Sequence, residues 1–378
     1  MTLPGGLGAW AVTQPAEIRS AARNRLLVHD VRRVTDSAHG FPTRRYPLDG
    51  VSAGRHVLSS DGADHKRLRA LLQPFFSSDA TERRTPTIRR TVTRALDRLA
   101  AQGGGDLVAD LAVPVAVRSV IDLLGLPEED ARELAELSLR LSGPEHPRSP
   151  PMEAAAQAMR KRMARLLVHT RRHPGNNLTT ALLRAHGDDL IRGGELLDSL
   201  VFLLFAGLDS TLAAIPAGAV HLLKRDESAT VRALLRTTDA MDTMVVEDLI
   251  RLAAPFTYGV WRFAAEPLQL GQHLLRRGDV VVLCFSAGNV DPLAHFSPWE
   301  VHGRPLAPGD HLSFGHGRHY CPGAALGRAQ VRLALTELLR RFPGIRLAVD
   351  RRDLVCRGNV ARHFVSVPVL TGEPPKRR

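Results

Sequence analysis

The sequence predicts a mainly α-helical fold with small β-sheets. Apolar residues recur at helical spacing along most of the chain, most densely over residues 193–224. Short apolar segments, such as those within residues 345–370, are typical of strands. A glycine-rich loop around a lone cysteine, within residues 314–328, leads into the last long helical pattern. Because no linker, repeat or low-complexity segment divides the 378 residues, we expect one domain over residues 1–378.

The first half of the chain is predicted to be mostly helical. Asp61 or Asp64 is a suitable cap for one helix, and Gly125 followed by Pro127 ends another. The predicted segments are a strand and helix (10–24), a loop (36–58), three helices (61–76, 87–102 and 111–124), a linker (142–151) and a long basic helix (153–172).

The second half continues this pattern and adds short strands. Its predicted segments are a buried helix (193–224), a second helix (240–254), a turn into a strand (255–263), an apolar strand that runs into a loop (278–292), a helix (322–341) and short strands (345–370).

Composition excludes several classes of protein. The net charge is +12, but only 5% of residues are aromatic and no nucleic-acid motif is present, so we expect a solvated basic surface or a patch that docks an acidic protein. Three cysteines without a CxxC pair predict neither a disulfide framework nor a zinc site. The N-terminus lacks a signal-peptide pattern, and the apolar run Leu200 to Leu208 is too short to span a bilayer. We expect a soluble, cytoplasmic protein.

Cys321 lies where a loop becomes a helix. Backbone N–H groups and the helix dipole at that position favour a thiolate. Gly315 and Gly317 allow a tight turn, Gly323 allows close packing, and Phe314 can shield the sulfur from water. The sequence therefore indicates a cysteine that serves as an anionic ligand.

This loop resembles the cysteine-ligand loop of the cytochrome P450 family, the haem-thiolate monooxygenases. Phe314, Gly317, Cys321 and Gly323 fill the family pattern Phe-x-x-Gly-x-x-x-Cys-x-Gly. The resemblance implies the cytochrome P450 fold and a haem b whose iron is bound by Cys321. The family carries a further helix and loop before its first strand, so we expect that a leading segment is absent here or that the start is misplaced.

The resemblance also implies residues that contact the haem. His65 and Arg69 share one helix face, four residues apart, and match the family's propionate partners. Further positions that match family contacts are Arg262, His311, His319, Gly315 and Gly323.

Residues 206–211, AGLDST, resemble the family's oxygen-activation groove. Ala206 and Gly207 would leave space on one face of the helix for oxygen. Asp209 and Ser210 would form the acid–alcohol pair that manages protons, with Thr211 as a second hydroxyl. Ser210 stands where the family more often has Thr.

Two further features follow from the resemblance. Asp248 and Arg251 match the family's Glu-x-x-Arg pair with a shorter acid, and Glu247 is a second candidate partner for Arg251. Glu300 occupies the position at which the family has an arginine. Arg304 is a possible substitute for that arginine. The residues expected to line the substrate pocket are Phe256, Thr257, Tyr258, Val260 and Val360.

The resemblance implies insertion of one oxygen atom from O2 into an organic small molecule, by hydroxylation or epoxidation in specialised metabolism. It implies electrons from a ferredoxin and a ferredoxin reductase, with NAD(P)H used only through them, and a monomer. Two alternatives stay open: a haem enzyme of oxidative coupling, and a haem-binding protein without turnover.

Overall fold

The computed structural model describes residues 1–3, 6–35, 54–141, 149–223, 239–290, 300–301, 304–305, 309–358 and 361–372. Its α-helices are α1 (Pro15–Arg23), α2 (Gly62–Leu72), α3 (Ser78–Gln102), α4 (Val113–Leu124), α5 (Ala131–Leu141), α6 (Pro150–Arg172), α7 (Leu178–Gly187), α8 (Gly193–Leu222), α9 (Asp239–Ala253), α10 (Phe285–Asn289) and α11 (Ala324–Arg341).

The strands are short and form small sheets. They are β1 (Ala9–Val12), β2 (Leu27–Val28), β3 (Gly104–Asp106), β4 (Arg262–Ala264), β5 (Leu268–Leu270), β6 (His273–Leu275), β7 (Val280–Leu283), β8 (Glu300–Val301), β9 (Arg304–Pro305), β10 (Arg346–Leu347), β11 (Cys356–Arg357), β12 (His363–Phe364) and β13 (Pro368–Leu370).

The largest described sheet has the strand order β1-β7-β4-β2. Strand β1 runs parallel to β7, whereas β4 is antiparallel to both β7 and β2. Arg262 is the first residue of β4 and pairs with Val281 of β7. The sheet therefore fixes the backbone of Arg262 beside the apolar clusters that cover both of its faces.

Helix α8 is central to the main core. Its first half is apolar on nearly every face, and it packs against α4, α9, α11 and α6. Close approach of α11 requires Gly218, since a Cβ there would lie 2.7 Å from Leu335 Cδ1. By length and composition alone α8 could cross a membrane, but 67% of its most apolar window is buried inside the protein. Burial of that kind is what a core helix shows, so the apolar character of α8 is weak grounds for a membrane span.

The mainly helical fold with small sheets is confirmed, with local differences from the prediction. Helix α3 begins at Ser78, because the Ser77 hydroxyl accepts a hydrogen bond from Ala80 N (3.2 Å), and it continues through the exposed Pro86. A prediction that began the helix at residue 87 was therefore wrong by nine residues. Helix α7 was not predicted, and the short helix α10 follows β7 where a loop was expected.

Several predicted features lie outside the described residues. They include most of the predicted loop at 36–58, most of the linker at 142–151, the residue Val360, and the side chains of Glu300 and Arg304.

Candidate functional site

A cavity of about 390 Å³ lies between α8, the cysteine loop, α4 and the strand that begins at Arg262. Its walls are mostly apolar, with Phe202, Phe205 and Leu203 from α8 among them. Its polar lining residues include His65, Arg262 and His319 as well as Asp209 and Ser210 of α8. The fold thus brings together residues that are far apart in the sequence, and Cys321 is among those that line the cavity.

The cysteine loop has the geometry that its glycines predict. Gly315 and Gly317 have φ values of 73° and 75°, which side chains rarely adopt, and a Cβ on Gly317 would lie 2.9 Å from the Ala22 carbonyl oxygen. The backbone N–H of Cys321 donates to the carbonyl of Phe314 (2.9 Å) and closes the loop. Cys321 is therefore held three residues before α11 with its thiol facing the cavity.

The protonation of Cys321 differs from the sequence-based expectation. Burial raises the pKa of the thiol above its ordinary value. A hydrogen bond from the backbone N–H of Gly323, with Arg69 and Arg328 nearby, lowers the pKa but does not outweigh burial. The protein alone does not produce a thiolate here. A bound cation at the sulfur would, because coordination deprotonates a thiol.

Buried nitrogen atoms without hydrogen-bond partners belong to several residues that line the cavity. Among the described residues, such atoms belong to the cavity-lining side chains of His29, His65, His316, His319 and Arg262. The rings of His29 and His65 both contact the ring of His319, with centroid separations of 4.0 and 4.2 Å. His319 also contacts the Ser60 carbonyl oxygen through Nε2 (3.0 Å).

Burial keeps these imidazoles neutral. It lowers the pKa of His319 to about 3, and burial followed by Arg262 lowers the pKa of His29 well below its usual range. Burial also lowers the pKa of Arg262 to about 10, with Asp61 opposing this shift, so the guanidinium stays charged. A group of unpaired donors around one buried cation is complementary to an anion. The carboxylates of a haem, with its iron at Cys321, fit this arrangement.

Arg69 lies in the same wall but has a protein partner. Its Nη1 donates to the carbonyl of Tyr320 (2.6 Å), the residue before Cys321. Arg69 thereby ties α2 to the cysteine loop, and it also lines the cavity. Its expected haem contact stays a prediction.

His311 requires a correction. It was expected beside the cofactor, but it is not among the described residues that line the cavity. Its Nε2 lies 3.1 Å from Glu247 Oε2, and its Nδ1 accepts a hydrogen bond from Ser313 N (3.2 Å). Both ring nitrogens are therefore used inside the protein. His311 orients the segment that leads into the cysteine loop.

The Asp248–Arg251 pair forms despite the shorter acid. Arg251 Nε donates to Asp248 Oδ1 (2.7 Å) and its Nη1 donates to the carbonyl of Asn289 (2.6 Å). Burial raises the pKa of Asp248 to about 6, against the opposing effect of Arg251. The pair connects α9 to α10.

Glu247 was a second candidate partner for Arg251, but the two residues do not pair. It accepts hydrogen bonds from Arg328 Nε and Nη2, at 2.6 and 2.9 Å, as well as facing His311. Burial alone would raise the pKa of Glu247, but these partners hold it below its ordinary value. The Arg328 guanidinium also lies 4.5 Å from the centre of the Phe314 ring. Glu247 thus supports the cysteine loop from α9.

On α8, the acid and the hydroxyls have partners of their own. The Nε2 atom of His363 lies 2.7 Å from Asp209 Oδ1, a contact that sequence reasoning missed. The Ser210 hydroxyl donates to the carbonyl of Ala206 (2.7 Å), and the Thr211 hydroxyl donates to Gln330 Oε1 (3.0 Å). All three side chains of the predicted proton path belong to residues that line the cavity.

Gly207 has a packing role in addition to the one expected. A Cβ on this residue would lie 2.9 Å from Val120 Cγ2. The missing side chain therefore allows α4 to pack closely on α8, while Gly207 and Ala206 both border the cavity. Space for oxygen beside Ala206 stays a prediction.

The predicted pocket residues are divided by the structure. Phe256, Tyr258 and Val260 line the cavity, as expected of substrate contacts. Thr257 is not among the described lining residues, and its carbonyl accepts a hydrogen bond from Ser286 (3.0 Å). Val360 lies outside the described residues.

Comparisons with known proteins agree on one family. A family model described as Cytochrome P450 matches residues 241–350. Nocardicin C N-oxygenase of Nocardia uniformis subsp. tsuyamanensis is 34% identical over 97% of this chain and 90% of its own length. Mycinamicin IV hydroxylase/epoxidase of Micromonospora griseorubida is 31% identical over 97% of this chain and 90% of its own length. The tirandamycin C-bound structure of the P450 monooxygenase TamI superposes with a TM-score of 0.84 at 31% identity, covering 97% of this chain and 91% of that one.

We expect His29→Phe to make the cofactor-free protein less sensitive to acid. The folded protein keeps His29 neutral, whereas the unfolded chain binds a proton near the ordinary pKa of 6.5, so acid favours unfolding. Between pH 7 and pH 5 the parent protein should lose about 2 kcal/mol more unfolding free energy than the variant. Chemical denaturation at each pH measures the difference. The control is His173→Phe, a change at an exposed histidine. If the unfolding free energies of His29→Phe and the parent fell equally with pH, His29 would not be the residue that the folded protein keeps neutral.

Proposed function

Because the chain belongs to the cytochrome P450 family, we propose that it inserts one oxygen atom from O2 into an organic small molecule of specialised metabolism. It is an oxidoreductase of the monooxygenase type. Relatives are named as an N-oxygenase and a hydroxylase/epoxidase, which supports heteroatom oxidation, hydroxylation or epoxidation as the reaction. The mostly apolar cavity wall supports a substrate that is largely apolar where it meets the reacting centre.

One observation carries the proposal: a cysteine thiol and a group of unpaired buried donors line the same cavity. Haem b, ligated by a cysteine thiolate, supplies the cleavage of the O–O bond. Cys321 would bind the iron, and Arg262 and His65 would hold the carboxylates. His319 would line the same wall, because its Nε2–H already serves the Ser60 carbonyl and its Nδ1 carries only a lone pair. Gly315, Gly323 and Phe314 shape the wall on the cysteine side.

The residues of α8 would manage protons. The Ser210 hydroxyl lies at the cavity and is oriented by the Ala206 carbonyl. Asp209, one residue earlier, is buried and paired with His363. A hydroxyl can hold a proton where it is needed, and a carboxylate can replenish it. Thr211 is engaged with Gln330, so it is a poor substitute for Ser210.

The family acts with redox partners, and we infer a ferredoxin with its reductase, so that NAD(P)H is used only indirectly. Lys66 is exposed on α2, the helix whose Arg69 contacts the cysteine loop. Arg67 is not a free surface charge, because it pairs with the buried Glu195 (2.8 Å). Arg318 donates to the carbonyl of Asn24 (2.6 Å). Of these three residues, Lys66 is therefore the best candidate for contact with an acidic partner. We also infer that the enzyme is monomeric and cytoplasmic.

The two alternatives are tested by the product. Labelled dioxygen gives a product with one heavy oxygen atom if insertion occurs, and an unlabelled product if two groups are coupled. A haem-binding protein would give no product. The closed Asp248–Arg251 pair supports a working enzyme, because the departure from the family's acid leaves the ion pair intact.

Cys321→Ala should remove thiolate ligation. The reduced, carbon-monoxide-bound parent should show the red-shifted absorption of thiolate haem, and the variant should not, because no other described cysteine lines the cavity. Cys284→Ala and Cys356→Ala are matched controls that should keep the band. A Cys321→Ala protein that retained the band would disprove the ligand assignment.

Ser210→Ala should separate reductant use from product formation. The variant should still bind substrate and consume reductant, but it should release hydrogen peroxide instead of product. The yield of product per reductant should fall by on the order of tenfold. Thr211→Ala should be milder, since its hydroxyl serves Gln330. The ratio of product to reductant consumed measures the effect. Unaltered ratios in the Ser210→Ala/Thr211→Ala double variant would show that both hydroxyls are structural.

Lys66→Glu should slow reduction by an acidic ferredoxin. Attraction between opposite charges speeds encounter and is screened by salt, so the parent rate should fall as ionic strength rises. The variant should be slower by about tenfold at low salt and less dependent on salt. Lys161→Glu, an exposed charge on α6, is the control. Reduction rates indifferent to both salt and Lys66→Glu would remove Lys66 from the docking surface.

A further inference from the structure

The contact between His363 and Asp209 joins a strand to the central helix. His363 opens β12, and Asp209 lies in the middle of α8. Their Nε2–Oδ1 distance is 2.7 Å. The Asp209 side chain is only 1% exposed and that of His363 only 9%, so the pair is shielded from solvent. This hydrogen bond is stronger than a similar one at the surface because water does not compete for it.

The position of the imidazole is set by the strand, independently of α8. Strand β12 pairs with β11, so that His363 is in register with Arg357. Two residues before it, Ala361 forms a bridge with Phe256 and lines the cavity. The segment that carries His363 is therefore fixed at both sides, at the edge of the cavity.

A carboxylate in this location needs a donor. Removing an ionised carboxyl from water is strongly unfavourable, and a hydrogen bond to the charged form offsets part of that loss. The same bond orients the group. Because Oδ1 faces His363, the carboxylate is turned toward β12, while the neighbouring Ser210 hydroxyl is held by the Ala206 carbonyl.

We propose that His363 is a positioning residue for proton delivery, whose Nε2–H orients the Asp209 carboxylate at the cavity wall. The inference rests on the proposed function. In each transfer the carboxylate gains one proton from a solvent-derived donor and gives one up toward the Ser210 hydroxyl, so it returns to its starting form. His363 keeps its own proton throughout, and no electrons are exchanged in this step.

The test compares two kinds of replacement at residue 363. His363→Gln keeps an N–H donor of similar reach but cannot titrate, whereas His363→Leu removes the donor. His363→Phe is a second apolar variant of more similar size, should the leucine protein fold poorly. Two quantities are measured: the infrared carbonyl band of a protonated carboxyl group, recorded without substrate, and the fraction of reductant that appears in product.

We expect the apolar variants to show a new protonated-carboxyl band that disappears when Asp209→Asn is added. Their product yield per reductant should fall by on the order of tenfold, with hydrogen peroxide as the balance. His363→Gln should keep the parent spectrum and most of the parent yield. This pattern identifies positioning, because a merely structural role of His363 would change stability without changing how reductant is divided.

His186→Leu is the matched control. His186 is half-buried and also holds a hydrogen-bond partner, since its Nδ1 lies 2.8 Å from the Ile191 carbonyl oxygen, but it is not among the described residues that line the cavity. It should lower stability and leave the division of reductant unchanged.

Apolar variants with the parent spectrum and yield would overturn the proposal, and so would a His363→Gln protein as impaired as His363→Leu. Failure of the proposed function is distinguishable, because it would appear as a parent protein that forms no oxygenated product. The infrared bands report the His363–Asp209 link in either case.

Discussion

The rest of the structure depends on one arrangement: buried nitrogen atoms without hydrogen-bond partners line the same cavity as the thiol of Cys321. A buried nitrogen without a partner costs about 1–3 kcal/mol, and several such atoms, on His29, His65 and Arg262 among others, face the cavity. This arrangement is unfavourable for the protein alone. It becomes favourable when an anionic group enters beside Cys321, so the fold gives up stability in one region to bind a cofactor there.

The rest of the fold holds this region in place. Glycine turns set the path of the cysteine loop, and Glu247 supports it through Arg328, whose guanidinium covers Phe314. Arg251 reaches the carbonyl of Asn289 and so connects α9 to the segment after β7. The opposite wall is α8, whose Asp209 is oriented by β12. Ligation, anion binding and proton management thus come from different elements that meet only in the folded chain.

Sequence reasoning succeeded where the signal is local. Three patterns can be recognised within a short segment: the spacing around Cys321, the apolar residues of α8 and the polar pair Asp209–Ser210. Residues from each of them line the cavity. It failed where the partner is distant. His363 is 154 positions from Asp209 and carries no motif, and His29 contacts His319 across the whole chain. Orientation was also invisible: His311 lies in the right segment, but both of its ring nitrogens have partners in the protein interior.

The most direct test of the account compares haem with its dimethyl ester as ligands of the cofactor-free protein. Esterification removes both carboxylate charges and leaves the iron and the ring intact. If the buried donors hold the carboxylates, haem should bind on the order of 100-fold more tightly than the ester, as expected for two or more charge-assisted hydrogen bonds. Arg262→Leu should reduce that difference. Equal affinities for the two ligands would contradict the account.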